Sequence, residues 1–392
     1  MKKLILQLSL LTLFLVLTPN AKAADYRYSQ FCLRGLRDQF SLDTHYPEYA
    51  DNCADGTDFR GNINDPDLFQ LAGHTYVKWE SPTAINWEQQ PLIKYFFGLI
   101  IVLGVNPLFA QYLFAIGIAV LIYYCAKHIF HLSPFIALVP LALFALDPLF
   151  HEQLRFTYLD LGLTFFVQLY LYLFWLWTQG KKRIVSAGIV LGLAALAKSF
   201  SIGIVLGAVS LSYLFFVNKK LIKNYLLSLW QPIAIYLLGY TMFFVYHGPA
   251  DFVTLHIDIL KFYKSYVPEY PKGEIFRLIF TGQWRIWWDD KGLIPSPSWS
   301  LAWPLALLAS FATIFQKKLR QNSFVLLHLT WIVIYLLFSS LRLVFPRYLL
   351  PILPSLYFLT TLIFARAGNL LSTPHLLQLK YDRANRSNRK GE

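Results

Sequence analysis

The stretch NINDPDLFQLAGHTYVKW, residues 62–79, sets Asp65 and Asp67 one residue apart in a chain otherwise dominated by apolar side chains. Lys94, Arg155, Asp160, Lys198, Arg342 and Arg347 stand beside or inside long apolar blocks. A charge at such a position is expensive to desolvate, so it is kept mainly where it works or is paired. If these groups line one cavity, the cations can hold an anion while a carboxylate stands next to it.

What must position them is a membrane bundle. Of the 392 residues, 56% are hydrophobic, 17% aromatic and only 15% charged, a balance unlike that of a soluble globular domain. Windows such as SIGIVLGAVSLSYLFFV (201–217) and FVLLHLTWIVIYLLF (324–338) have no polar face. They are about as long as a helix needs to be to cross roughly 30 Å of hydrocarbon. The net charge of +13 does not read as a nucleic-acid surface, because no basic stripe runs through a soluble domain. The basic residues fall in short runs between apolar blocks: Lys2-Lys3, Lys181-Lys182-Arg183, Lys219-Lys220 with Lys223, Lys317-Lys318 with Arg320, and the tail after Arg366. Under the positive-inside rule these mark cytoplasmic loops.

With every basic run inside, an all-α membrane protein of about ten transmembrane helices is expected. The spans fall near 4–22, 108–126, 134–149, 157–178, 184–197, 199–217, 225–246, 299–315, 323–340 and 347–365. The chain divides into a first span (1–23), an external segment with interfacial helices (24–107), a bundle (108–246), a second external loop (247–298), C-terminal spans (299–365) and a basic cytoplasmic tail (366–392). This topology puts all the isolated charges on the external side. Residues 1–23 have a basic start, an apolar stretch and an Ala-Lys-Ala end, the anatomy of a retained signal-anchor and of a cleaved signal peptide alike. Both termini are cytoplasmic if that helix is retained. In an oxidising exterior Cys32 and Cys53 can bridge, closing a loop worth about 3 kcal/mol. No Cys or His cluster has zinc spacing.

Each position also has a plain structural reading. The segment 88–107 reads as an apolar helix opened at Pro91 and closed by Gly104 and Pro107, lying on the outer membrane surface or entering it shallowly. Lys94 in its first turn either meets a lipid phosphate or snorkels to the headgroups. Arg155 and Asp160 are five apart, outside the spacing that pairs residues on one helix face. Asp160 reads as structural, satisfied by backbone or by another span. Asp65 can equally cap a helix, since Asp-Pro starts turns readily, and does so if Asp67 is the working acid. The aromatic and charged mixture of 256–290 suits interfacial helices or sugar-ring stacking.

Taken in order, several segments resemble the integral-membrane GT-C glycosyltransferases, in particular the protein O-mannosyltransferase and aminoarabinose-transferase branch. DPDLFQLAG (65–73) is similar to the family's acidic motif in its first external loop, with Pro66 where a second acid is usual. QQPLIKYFFGLIIVLGVNP (89–107) retains Pro91, Leu92 and Lys94, with Gln89 where a histidine often stands. RFTYLDLGLTFF (155–166), GLAALAKSF (192–200) and FPRYLLPILPSL (345–356) look like three further family stretches, and LHIDILKFYKSY (255–266) is a looser match. No single motif is specific, and the ordered set over residues 1–365 carries the resemblance.

The resemblance implies a sugar donor on a polyprenyl phosphate, an active site outside a plasma or inner membrane, and a metal requirement that differs between branches. Transfer from such a donor needs a carboxylate to take the acceptor's proton and cations to receive charge on the departing phosphate. Asp65 is then the expected base, with Asp67 one register away. Lys94 and Arg347 are the expected phosphate ligands, followed by Lys198 and Arg155. A hexose such as mannose, transferred to an external protein, glycan or lipid, fits this expectation. No cofactor is called for by the residues themselves, and a divalent metal stays open. A multi-pass transporter or lipid flippase is the alternative, although it would usually show repeated halves or helices broken at the midplane. A non-catalytic envelope assembly factor is a third reading.

Overall fold

The computed structural model of the chain describes residues 64–265, 271–286 and 292–367. The first span, the Cys32–Cys53 bridge and the tail beyond residue 367 lie outside the described residues.

The described chain opens on α1 (Asp65–Tyr76), whose N-cap is Asn64: its side chain accepts the Asp67 N–H at 3.0 Å. Neither aspartate is the cap, so both carboxylates are left for other work. Helix α2 (Leu92–Val102) follows Pro91 and ends before Gly104 at φ +79°. It is a shorter helix than the sequence suggests. Helices α1 and α2 touch through backbone, because a Cβ on Gly98 would stand 2.0 Å from the Gly73 carbonyl oxygen and one on Gly73 would stand 2.1 Å from that of Lys94. Backbone cannot move aside as a side-chain tip can. Gly98→Ala is therefore expected to separate the pair and cost at least about 1–3 kcal/mol, read as a lowered Tm of the purified protein, whereas Gly180→Ala is its control only for backbone strain, having open space around it.

The bundle follows. It comprises α3 (Leu108–Tyr124), which runs on through a π turn at Cys125–Ile129, then α4 (Pro134–Ala137), α5 (Val139–Ala145), α6 (Pro148–Arg155), α7 (Asp160–Thr178), α8 (Ile184–Ala197) and α9 (Phe200–Val217). Next come α10 (Ile222–Ser228), α11 (Trp230–Gly239) and α12 (Thr241–Tyr246), then α13 (Pro249–Ser265) and α14 (Glu274–Thr281). A small antiparallel hairpin, β1 (Gln283–Arg285) with β2 (Leu293–Pro295), precedes α15 (Ala302–Ala312), α16 (Lys317–Arg320), α17 (Ser323–Ser339) and α18 (Leu353–Ala367). Helix α7 packs on α8, α8 on α11, α9 on α17 and α15 on α18.

The all-α membrane architecture is as expected, but the crossings differ in detail. Among the described residues three helices are long and apolar enough to span a bilayer: Leu108–Ile129, Asp160–Thr178 and Phe200–Val217. The expected span at 134–149 is not straight. The chain turns by 64° between Pro134–Ala145 and Pro148–Arg155, where Asp147 caps the new helix through Leu149 N–H at 2.8 Å and Pro148 cannot continue the old one. The bend is held because the same carboxylate accepts from Trp303 Nε1 at 2.8 Å and from the Tyr357 hydroxyl. The expected span at 225–246 is three short helices, and that at 157–178 becomes helical only from Asp160.

This connectivity sorts the charges. Asp160 begins α7, Lys198 follows α8, Arg342 follows α17 and Arg347 precedes α18, all at one end of the bundle. The runs Lys181–Arg183, Lys219–Lys220 and Lys317–Arg320 sit at the opposite helix ends.

Candidate functional site

At the first of these ends four of the singled-out residues meet. Arg347 Nη2 donates to Asp65 Oδ2 at 2.5 Å, and its Nε lies 3.6 Å from Asp160 Oδ2. Lys198 Nζ donates to Asp160 Oδ1 at 2.5 Å. Asp65, Arg347, Asp160 and Lys198 thus form one chain of alternating charge drawn from four separate segments. Its inner members are buried, with the Asp160 side chain 2% exposed, while the Asp65 side chain is 42% exposed. Among the described residues no donor occupies Asp65 Oδ1.

Local structure explains the alignment. Arg347 lies on a 3₁₀ turn, Pro346–Leu349, pinned by the Tyr335 hydroxyl on Tyr348 O at 2.6 Å. Its guanidinium lies 4.8 Å from the ring centres of both Tyr158 and Phe345, which limits its swing. Helix α1 is tied down at its first turn by Thr157, whose hydroxyl donates to Pro66 O at 2.9 Å and accepts from Gln70 Nε2 at 2.8 Å. The link before α7 is held in turn by Gln111 Nε2, on Phe156 O at 2.8 Å and Tyr158 O at 2.7 Å. Lys198 also lies 4.3 Å from the Tyr348 ring centre, and its carbonyl accepts the Gln90 N–H at 3.3 Å.

Other expected site residues are placed differently. Asp67 lies two residues along α1 from Asp65, hence about 200° around the helix at 3.6 residues per turn, and it makes no ion pair with Arg347. Arg155 is exposed at the end of α6 and belongs to no ion pair among the described residues. Lys94 does not snorkel: it is fully buried, and its ammonium donates to Gln89 O at 2.6 Å, Asn86 O at 2.7 Å, Asn86 Oδ1 at 3.1 Å and the Tyr76 hydroxyl at 3.3 Å. His256, in the looser family stretch, is held through both ring nitrogens by Tyr236 and Phe252 O at 2.8 Å.

Two further residues matter here, Arg342, which the sequence places among the external charges without a role of its own, and Glu88, which it does not single out. Arg342 stands in the same apolar-to-polar transition as Arg347, yet makes no ion pair among the described residues. Its guanidinium lies 4.8 Å from the Tyr348 ring centre and 5.0 Å from that of Phe338. Exposed Leu337 and Leu341 flank it on the bundle surface. Glu88 is buried, with Oε1 accepting from the Asn86 side chain and Oε2 without a hydrogen-bond partner. Burial pushes its carboxyl up to about 7; the Lys94 ammonium and its own backbone oppose this, and the Asp65 carboxylate adds to it. Glu88 lies inside the stretch EQQPLIK, and only its six-residue distance from Lys94 hints at pairing.

No three His, Cys, Asp or Glu side chains come together to hold a metal ion among the described residues.

No protein-family model matches the chain, and no curated protein sequence does. In overall structure it is similar to crystal structures of ArnT, an aminoarabinose transferase of the GT-C type from Cupriavidus metallidurans. The apo ArnT structure matches with a TM-score of 0.52 at 15% identity, over 89% of this chain and 62% of ArnT. A second ArnT structure, bound to undecaprenyl phosphate, matches with a TM-score of 0.45 at 16% identity, over 77% of this chain and 56% of ArnT. The chain thus has an ArnT-like fold and spans less than two thirds of ArnT's length.

Proposed function

We propose that this protein is a membrane glycosyltransferase that moves a sugar from a polyprenyl-phosphate donor to an acceptor hydroxyl outside the membrane, with Asp65 as general base. The observation that carries the proposal is the Asp65 carboxylate, half-exposed at one end of the helix bundle in an ArnT-like fold and clamped by Arg347 to a buried Asp160–Lys198 pair. The basic runs at the opposite helix ends favour an external site under the positive-inside rule.

The reaction assigns each group a task. The acceptor oxygen attacks the anomeric carbon, its proton passes to Asp65 Oδ1, and the bond from that carbon to the phosphate oxygen breaks, leaving polyprenyl phosphate. Arg347 holds the base through Oδ2, and Asp160 with Lys198 holds Arg347. Before the reaction these four charges sum to zero, so the negative charge of the donor's phosphodiester must find its counter-charge elsewhere. Arg342 supplies it: the guanidinium is unpaired among the described residues, oriented by Tyr348, and flanked by an apolar surface along which a polyprenyl chain can lie. Arg347 and Lys198 then act on the phosphate mainly through their field, and Arg155 contributes as an exposed outer charge.

The test is transfer from radiolabelled polyprenyl-phosphate sugars in liposomes holding the purified protein, with mannose and aminoarabinose donors both tried. Acceptors are tried by class: protein hydroxyl, glycan and lipid headgroup. Transfer with none of these donors overturns the proposal. Arg342→Ala is expected to raise KM for the donor about tenfold or more, since a hydrogen bond to a charged group is worth about 1.5–3 kcal/mol. Its kcat should change less, and an unchanged KM would remove Arg342 from the phosphate site.

A further inference from the structure

The buried ammonium of Lys94 stands in an oxygen cage. Gln89 O, Asn86 O, Asn86 Oδ1 and the Tyr76 hydroxyl lie 2.6–3.3 Å from Nζ, which is one oxygen more than an ammonium has hydrogens. The Tyr76 hydroxyl donates its own proton to Ile85 O, so it faces Lys94 with a lone pair. The chain bends to make this cage. Asn86 sits at φ +54°, a left-handed conformation uncommon for any residue but glycine, and so presents both its main-chain and side-chain oxygens to one point. Held in this way, the 77–91 loop reaches the charge chain, the Gln90 N–H donating to Lys198 O at 3.3 Å.

The cage lengths exclude the small divalent ions, since Mg²⁺ binds oxygen at about 2.0–2.1 Å and Ca²⁺ at about 2.3–2.6 Å. They suit an ammonium, or the potassium ion that resembles it in size. We propose that Lys94 is a tethered cation that assembles the 77–91 loop beside the Asp160–Lys198 pair, and that shortening its side chain leaves a site for a free monovalent cation. Removing that charge leaves three carbonyl oxygens without their donor in a buried place, which is unfavourable.

The experiment measures Tm of the full-length protein in detergent at constant ionic strength, as wild type and as Lys94→Ala, in chlorides of ammonium, potassium and tetramethylammonium. Lys94→Ala is expected to lower Tm, and ammonium or potassium to recover about half or more of the loss in a saturable way. Tetramethylammonium, too large for the cage, should recover none, and the wild type should respond to the three salts alike. An Lys94→Ala protein whose Tm ignores the cation, or rises equally with all three, overturns the proposal. Should that variant fail to fold, Lys94→Gln fills most of the same space with a neutral donor. It is expected to be less stable than wild type and indifferent to the cation, and wild-type stability in it would show that the charge is not needed. The Tm readout does not depend on sugar transfer, so failure of this proposal and failure of the transferase reading are separable.

Discussion

Asp65→Asn is expected to lower sugar transfer by about 10²–10⁴-fold, the usual contribution of a positioned general base, at an unchanged level of folded protein. The substitution keeps the shape and the oxygen that accepts from Arg347, and removes the group that can take a proton. Asp65 is partly exposed at the helix start, with Asn64 doing the capping, so little stability is at stake. Asp67→Asn should retain most activity, because it lies about 200° away around α1. The comparison is initial-rate transfer with donor and acceptor saturating, each variant normalised to the wild type by monodisperse protein. Equal loss in both variants would place the base elsewhere.

The second large effect concerns stability. Asp160→Asn is nearly isosteric, yet it leaves the Lys198 ammonium, a side chain 10% exposed, without its carboxylate. Breaking a buried pair from one side costs about 3–5 kcal/mol, whereas removing both charges is often close to neutral. The single variant should therefore lose much of its thermal stability, and Asp160→Asn with Lys198→Met should regain most of it. A single variant as stable as the double would mean that Lys198 reaches water when its partner is lost. Activity gives an independent reading, since Arg347 leans on the same carboxylate at 3.6 Å and its hold on Asp65 should loosen in both variants.

Much of the site is legible in the sequence because charge is expensive next to hydrocarbon. Asp160, Lys198 and Arg347 stand out for that reason alone, Asp65 for its pairing with Asp67 and its place in the resembled acidic motif, and the positive-inside rule sends them to one side. The same reasoning leaves Lys94 open. An isolated lysine in the first turn of an apolar helix looks the same in sequence whether it reaches for a headgroup or turns inward, and the choice depends on Asn86 and Gln89 folding their carbonyls back over it. Glu88 is hidden for a related reason, its burial being set by the loop around it. The bend at Asp147 and the hairpin at 283–295 also depend on distant partners, Trp303 and Tyr357 in the first case and the pairing of Trp284 with Ile294 in the second.

From the sequence by itself come the membrane class, the all-α architecture and the short roster of charges that cannot be idle. Which charges pair is decided only in three dimensions. Asp65 and Arg347 are 282 residues apart and Asp160 and Lys198 are 38 apart, separations at which no helical periodicity links one residue to another. Their partnership follows from the antiparallel stacking of α7, α8, α17 and α18, and from the glycine contact that lets α1 lie against α2. Hydropathy is a property of each segment, whereas the choice of counter-ion belongs to the packed bundle.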